Sequence, residues 1–148
     1  MKTESKYCLI VTGGSVDQNL LAAVYEGAYG YPVHPYVIGV DKGLEMLEQL
    51  DIEPDLIIGD FDSANDGIRA KYVTSPDAVV RERCIVLNPE KDFTDTHVAI
   101  LEAAKRGFTQ ALLIGATGTR LDHTLGNLGL LYTCYQEGIC AEVLDLHN

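Results

Sequence analysis

Six short apolar runs, each followed or preceded by a helix-patterned segment, constrain the fold of this chain more than any other feature. They are Tyr7 to Thr12, Tyr36 to Val40, Leu56 to Ile58, Cys84 to Leu87, Ala111 to Ile114 and Cys140 to Leu146. Their apolar residues are continuous rather than alternating, which suits strands buried on both faces. Between them lie segments with helical spacing. Leu20, Leu21, Val24 and Tyr25 follow a cap at Ser15 or Asp17, and Leu44, Leu47 and Leu50 share a face. Val98, Leu101 and Ala104 point inward from a helix over Thr94 to Arg106 that Gly107 stops. Leu128, Leu131 and Tyr135 lie on a helix over His123 to Glu137 that Gly138 stops. Residues 63–83 are ambiguous, a helix broken near Thr74-Ser75-Pro76.

Strand–helix alternation with unbroken apolar strands predicts an α/β fold, a three-layer Rossmann-like domain with a mainly parallel sheet. All 148 residues fit one such domain, with no internal repeat, low-complexity tract or linker. Ligands of these sheets bind beyond the carboxyl ends of the strands. The polar clusters obey that rule, each lying just past an apolar run.

The excess of acids, 22 against 11 bases for a net charge of −11, argues against duplex nucleic acid or an anionic membrane as a partner. A polyphosphate would need its own cation. The polar start, Met1 to Lys6, is not a signal peptide, and no stretch reaches membrane-spanning length. Cys8, Cys84, Cys134 and Cys140 form no CxxC and read as buried free thiols, which points to the cytoplasm.

Asp60 and Asp62, in Gly59-Asp60-Phe61-Asp62-Ser63, are the sharpest candidates. On extended backbone two residues of spacing two project the same way. Two adjacent anions are costly unless a cation lies between them. Turn formation explains one such Asp but poorly explains two behind an apolar strand. In Lys91-Asp92-Phe93-Thr94-Asp95-Thr96, Asp92 or Thr94 can cap the following helix, and Asp95 suits its first turn. Lys91 at the same mouth makes a place for phosphate as well, and both readings stand.

Gly115 and Gly118, in Gly115-Ala116-Thr117-Gly118-Thr119-Arg120-Leu121-Asp122-His123, allow close backbone approach to a ligand. The loop is neither GxGxxG nor a Walker P-loop. Arg120 offers a planar fork to phosphate, while Asp122 is either a cap or a contact. His123 is a ligand or base, or the structural side chain that a first-turn His more often is. Asp41, after the second strand, is weak alone. Oxygen-rich ligation with one Lys and one Arg favours Mg2+ over zinc and fits phosphoryl transfer.

Taken in order, these motifs resemble those of the thiamin pyrophosphokinase family, specifically its catalytic domain. Pro54-Asp55-Leu56-Ile57-Ile58-Gly59-Asp60-Phe61-Asp62-Ser63 is similar to the family's Pro-Asp-hydrophobic-Ile-Gly-Asp-Phe-Asp-Ser. Lys91 to Asp95 is similar to Lys-Asp-x-Thr-Asp. Arg120-Leu121-Asp122-His123 with Asn127 is similar to the Arg-x-Asp-His element and its Asn. Val40-Asp41-Lys42-Gly43 matches Ala-Asp-Gly-Gly less well, because Lys42 replaces a glycine.

The resemblance implies Mg-dependent transfer of pyrophosphate from ATP to the hydroxyl of thiamine, giving thiamine diphosphate and AMP. It implies that Asp60, Asp62 and Asp95 hold Mg2+ with Asp92 in support. Lys91 and Arg120 would contact phosphates, and Asp41, Asp122 and His123 would line the nucleotide and thiamine side. It further implies a homodimer in the full-length protein and a C-terminal β-sandwich domain that completes the thiamine site. That domain is expected where this sequence stops. Two rivals differ in class. One is a DxD phosphohydrolase with Asp60 as nucleophile, although Ala64 departs from its usual DxDx[TV] pattern. The other is a nucleotide-binding domain without catalysis.

Overall fold

The fold was analysed in a computed structural model, which describes residues 6–59, 69–73, 75–87, 94–118 and 121–145, with the backbone alone at 69, 70 and 123. The described strands are β1 (Tyr7–Val11), β2 (Tyr36–Val40), β3 (Leu56–Gly59), β4 (Cys84–Val86), β5 (Gln110–Ile114) and β6 (Cys140–Leu144). They form one sheet in the order β4-β3-β2-β1-β5-β6, with every neighbouring pair parallel. Cys8 lies opposite Tyr36 on one side and Ala111 on the other.

The alternation of side chains along each strand divides the core in two. Leu9, Val11, Val37, Ile57, Leu112 and Ile114 face one side. They pack on Leu21 and Val24 of α1 (Gln18–Tyr25) and on Leu44 and Leu47 of α2 (Gly43–Gln49). Cys8, Ile10, Ile38, Val40, Ile58 and Leu113 face the other. They pack on Ala99, Ile100 and Ala103 of α4 (Asp95–Lys105) and on Leu130 and Cys134 of α5 (Leu121–Gln136). Each fully buried Leu or Ile contributes about 1.5–3 kcal/mol, which makes this double core the main source of stability. Between β3 and β4 lie a π-helical turn, Arg69–Val73, and a short helix α3, Ala78–Glu82, capped by Asp77. The described part of the ambiguous segment thus contains two separate pieces, and residues 60–68 and 74 lie outside the described residues.

Both expected helix stops hold. Phe108 N donates to Ala103 O and Gly107 N to Ala104 O, and Ile139 and Gly138 repeat the pattern on Cys134 and Tyr135. These are Schellman ends with a buried apolar residue just beyond each helix.

Two inward faces differ from expectation. In α4 the buried residues are Thr96, Ala99, Ile100 and Ala103, while Val98, Leu101 and Ala104 are half-buried. Alanines let the helix lie close to the sheet, so size alone misplaces its inner face. In α5, Leu130 and Cys134 are buried, Leu131 is half-buried, and Leu128 and Tyr135 are exposed. Apolar residues occur almost all round that helix, so periodicity does not select a face. Cys8 and Cys134 are buried free thiols as expected, whereas Cys84 is half-buried and Cys140 is exposed. Among the described residues, no helix is long and apolar enough to cross a membrane.

Candidate active site

The candidate site lies along the carboxyl edge of the sheet, where β1, β2 and β5 deliver polar residues. β2 ends at Val40, and Asp41 takes a left-handed conformation with φ of 50°. Its backbone N–H donates to Ile58 O at 2.9 Å, and its carbonyl accepts from Leu44 N at 3.1 Å, opening α2. Asp41 therefore lies across the end of β3. A Cβ added to Gly59 would sit 3.6 Å from Asp41 Oδ1 and 3.4 Å from its Cα. Asp41 thus stands beside Gly59, the last described residue of β3, although it belongs to another strand.

α4 begins beside this edge. Thr94 is its cap: the hydroxyl accepts from His97 N at 3.1 Å. Of the capping candidates, Thr94 therefore fills the role, and Asp95 becomes the first helical residue, where a carboxylate complements the helix dipole. The next residue fixes the helix to the sheet. Thr96 Oγ1 and Thr12 Oγ1, at the end of β1, share a buried hydrogen bond of 2.9 Å. Asp41 and Asp95 each bury one carboxylate oxygen, Oδ1.

The strand order reverses between β1 and β5, the place where a doubly wound sheet opens a crevice. Here main-chain bonds close it. Thr12 N donates to Ile114 O at 2.9 Å, Gly14 N to Gly115 O at 2.6 Å, and Ser15 N to Thr117 O at 2.8 Å. A Cβ on Gly14 would fall 2.0 Å from Gly115 O, and one on Gly115 would fall 2.2 Å from Thr12 O. Gly118 meets Ser15 Cβ in the same way, at 2.3 Å. In the structure these glycines bring two loops together. Closure by backbone leaves a hollow of about 220 Å³ between the start of α1 and the ends of β5 and β6, bordered by Ser15, Asp17, Thr117 and Asp145. Thr117 Oγ1 donates to Asp145 at 2.7 Å, and Asn127 Nδ2 of α5 donates to Ala116 O at 3.0 Å.

Of the residues singled out from sequence, Asp41, Asp95, Gly115 and Gly118 are placed along this edge. Asp122 is exposed in the first turn of α5. Asp60, Asp62, Lys91, Asp92 and Arg120 lie outside the described residues, as does the side chain of His123. Among the described residues, no three His, Cys, Asp or Glu side chains gather into a metal-binding group. The donors present at the edge, Asp41 and Asp95, are hard carboxylate oxygens. That chemistry fits Mg2+, which takes one or two carboxylates and fills its remaining positions with water and substrate phosphate. The Thr12–Thr96 pair had escaped the sequence reading. Its signal is a hydroxyl closing an otherwise apolar strand.

A doubly wound, all-parallel three-layer domain with carboxylates and a helix N-terminus at the carboxyl edge of its sheet defines the class. The sequence matches the family described as thiamin pyrophosphokinase, catalytic domain, over residues 32–143. It is 35% identical over 115 residues to the thiamine pyrophosphokinase of Bacillus subtilis, a match covering 78% of this chain and 51% of that protein. The fold is similar to the crystal structure of thiamine pyrophosphokinase from Bacillus subtilis, with a TM-score of 0.73 and 29% identity, covering 95% of this chain and 61% of that one. The corresponding protein from Geobacillus thermodenitrificans gives a TM-score of 0.68 at 30% identity, covering 94% and 59%. The chain belongs to the thiamin pyrophosphokinase catalytic-domain family. It spans about half the length of the curated relative it matches.

Proposed function

We propose that this chain is the catalytic part of a thiamine diphosphokinase, which moves a pyrophosphoryl group from ATP to the hydroxyl of thiamine and releases AMP. The observation that carries the reading is the family match over residues 32–143, which contains all the acidic motifs. The position of Asp41 over Gly59 and of Asp95 at the start of α4 supports it. Both acids lie where phosphates reach this kind of sheet.

In this reading Mg2+ is held by Asp60, Asp62 and Asp95, with Asp92 in support, and supplies charge neutralisation along the phosphate chain. Lys91 and Arg120 bind phosphate oxygens as cationic donors. Asp41, Asp122 and His123 orient nucleotide and thiamine, and the closed Gly115–Gly118 loop keeps the floor of the site rigid. Catalysis of this type rests on positioning and electrostatics, so no strong base is required of any Asp. A further domain outside these 148 residues completes the thiamine pocket, and the working location is the cytoplasm.

The test supplies ATP, Mg2+ and thiamine to the full-length protein that carries this domain and follows both products. Thiamine diphosphate and AMP should appear together and in equal amounts. AMP formation indifferent to thiamine, or ADP in its place, would refute the assignment.

A further inference from the structure

The structure separates the two positions where the family pattern has glycines. A Cβ on Gly43 would fall 2.2 Å from Val11 O, so the first turn of α2 is seated directly on the end of β1 and position 43 admits no side chain. Position 42 is exposed and carries a lysine. A Cβ on Gly13 would lie 3.2 Å from Lys42 Cβ, which sets the base of the lysine stem against the loop that leaves β1. The residue before it, Asp41, stands beside Gly59. Lys42 therefore occupies the seam between the ends of β1 and β2 on the carboxyl edge.

Local stability does not explain a lysine there. Lys42 is the N-cap of α2, with φ of −66° and ψ of −17°, and its side chain makes no capping bond. Ser, Thr, Asp or Asn would stabilise that position, and the helix dipole disfavours a cation at it. Nor does a partner hold it. Among the described cations, Lys6, Lys71, Arg81, Arg83 and Arg106 each reach a carboxylate or carbonyl oxygen. Lys105 lies in the last turn of α4, where a cation suits the dipole. Lys42 has no hydrogen bond or ion pair among the described residues. In a chain of net charge −11, an ammonium unpaired next to a site carboxylate is the kind of local exception that marks a functional position.

We infer that Lys42 binds a phosphate oxygen of the nucleotide, from the opposite face of the sheet to Asp95. α2 packs on the layer of Leu9 and Val11, and α4 on the layer of Ile10 and Val40. A phosphate chain lying over the strand ends thus has Asp95 on one flank and Lys42 on the other. Mg2+ held by carboxylates neutralises part of a triphosphate's charge, and a lysine supplies a compact point charge to an oxygen that the metal leaves uncovered. The flexible four-carbon stem carries the ammonium out from the Gly13 contact. The role depends on this edge being the ATP site proposed above. It adds to that site a contact that the family pattern, with its glycine, does not supply.

Titration calorimetry with α,β-methylene-ATP and Mg2+, on the full-length protein that carries this domain, reads the contact without turnover. Lys42→Met keeps the stem and removes the charge, and should weaken binding about 10- to 100-fold, the scale of one charge-assisted hydrogen bond. Lys42→Arg should keep most of the affinity. In turnover, the KM for ATP should rise in Lys42→Met while the KM for thiamine stays level, a split that a general loosening of the fold would not give. Equal affinity of Lys42→Met and the parent for the analogue overturns the inference, as does a parallel rise in both KM values. A parent that binds the analogue but makes no thiamine diphosphate refutes the thiamine reading alone, because the titration still reads the Lys42 contact. A parent that binds no analogue overturns both.

Discussion

Thr12 and Thr96 join two elements 84 residues apart in sequence through one buried hydroxyl–hydroxyl hydrogen bond of 2.9 Å. Thr12 closes β1, and Thr96 follows Asp95 in the first turn of α4. The bond therefore fixes where the Asp95 carboxylate stands relative to the centre of the sheet. Thr96→Val keeps the shape and leaves the Thr12 hydroxyl buried without this partner, at a cost of about 1–2 kcal/mol. Thermal melts should fall by roughly 2–8 °C. The double variant Thr12→Val/Thr96→Val should recover part of that loss, because neither hydroxyl is then stranded. Additive losses in the double-mutant cycle would show that the bond couples nothing.

Asp41 combines a strained backbone with a site carboxylate. Its φ of 50° costs on the order of 1 kcal/mol for a residue with a Cβ. Asp41→Gly relieves that strain and removes the carboxylate. Stability should stay level or rise slightly, while turnover falls by about 100-fold or more, the scale of losing one preorganised electrostatic contact. Equal turnover in Asp41→Gly and the parent would remove Asp41 from the site.

The glycines of the β1 and β5 loops should respond oppositely to one on the outside of α5. Gly14→Ala drives a Cβ to 2.0 Å from Gly115 O and must force the loops apart, costing about 2–4 kcal/mol. Gly126→Ala meets nothing within 4 Å inside a helix and should stabilise by about 0.5–1 kcal/mol. Urea midpoints of the two variants should move in opposite directions.

Alkaline stability has a definite sign. Burial, with the neighbouring Cys134, pushes the Cys8 thiol from its ordinary 9.0 up to about 12, and burial pushes Cys134 up to about 11. Folding holds these thiols protonated. Their contribution is complete below pH 9, where the unfolded thiols are protonated too. It is lost as pH rises through 9 towards 12, at up to about 1.4 kcal/mol per unit for each group. Cys8→Ala should flatten the slope of urea stability against pH between 9 and 11. An unchanged slope would mean that Cys8 is not held protonated by the fold.

How much of this was legible in the sequence follows from what each signal measures. Six continuous apolar runs announced six parallel strands, and β2 appeared with its expected bounds because burial on both faces leaves no polar position to confuse the pattern. Burial on both faces was wrongly expected of β4 and β6, which lie at the sheet edges and are only partly buried. The inner faces of α4 and α5 were not legible. Ala99 and Ala103 carry too little hydrophobicity to outweigh Val98 and Leu101, although their small size is what seats the helix. In α5 the bulky residues belong to the outside, which no rule of inward periodicity anticipates. At the site, the acids at strand ends were visible one by one. Their through-space relations were not, since Asp41 reaches Gly59 across a strand and Thr12 reaches Thr96 across the chain. Gly115 and Gly118 were legible as positions of close backbone approach, but not the loop of Thr12 to Ser15 that approaches them in the structure.

The central claim is that both terminal phosphoryl groups of ATP travel together. Single-turnover reaction with ATP labelled at the γ-phosphorus, Mg2+ and thiamine tests it most directly, with the full-length protein in excess. The account predicts label in thiamine diphosphate, unlabelled AMP in equal amount, and loss of both in Asp62→Asn. Label released as inorganic phosphate, with or without thiamine, would contradict it.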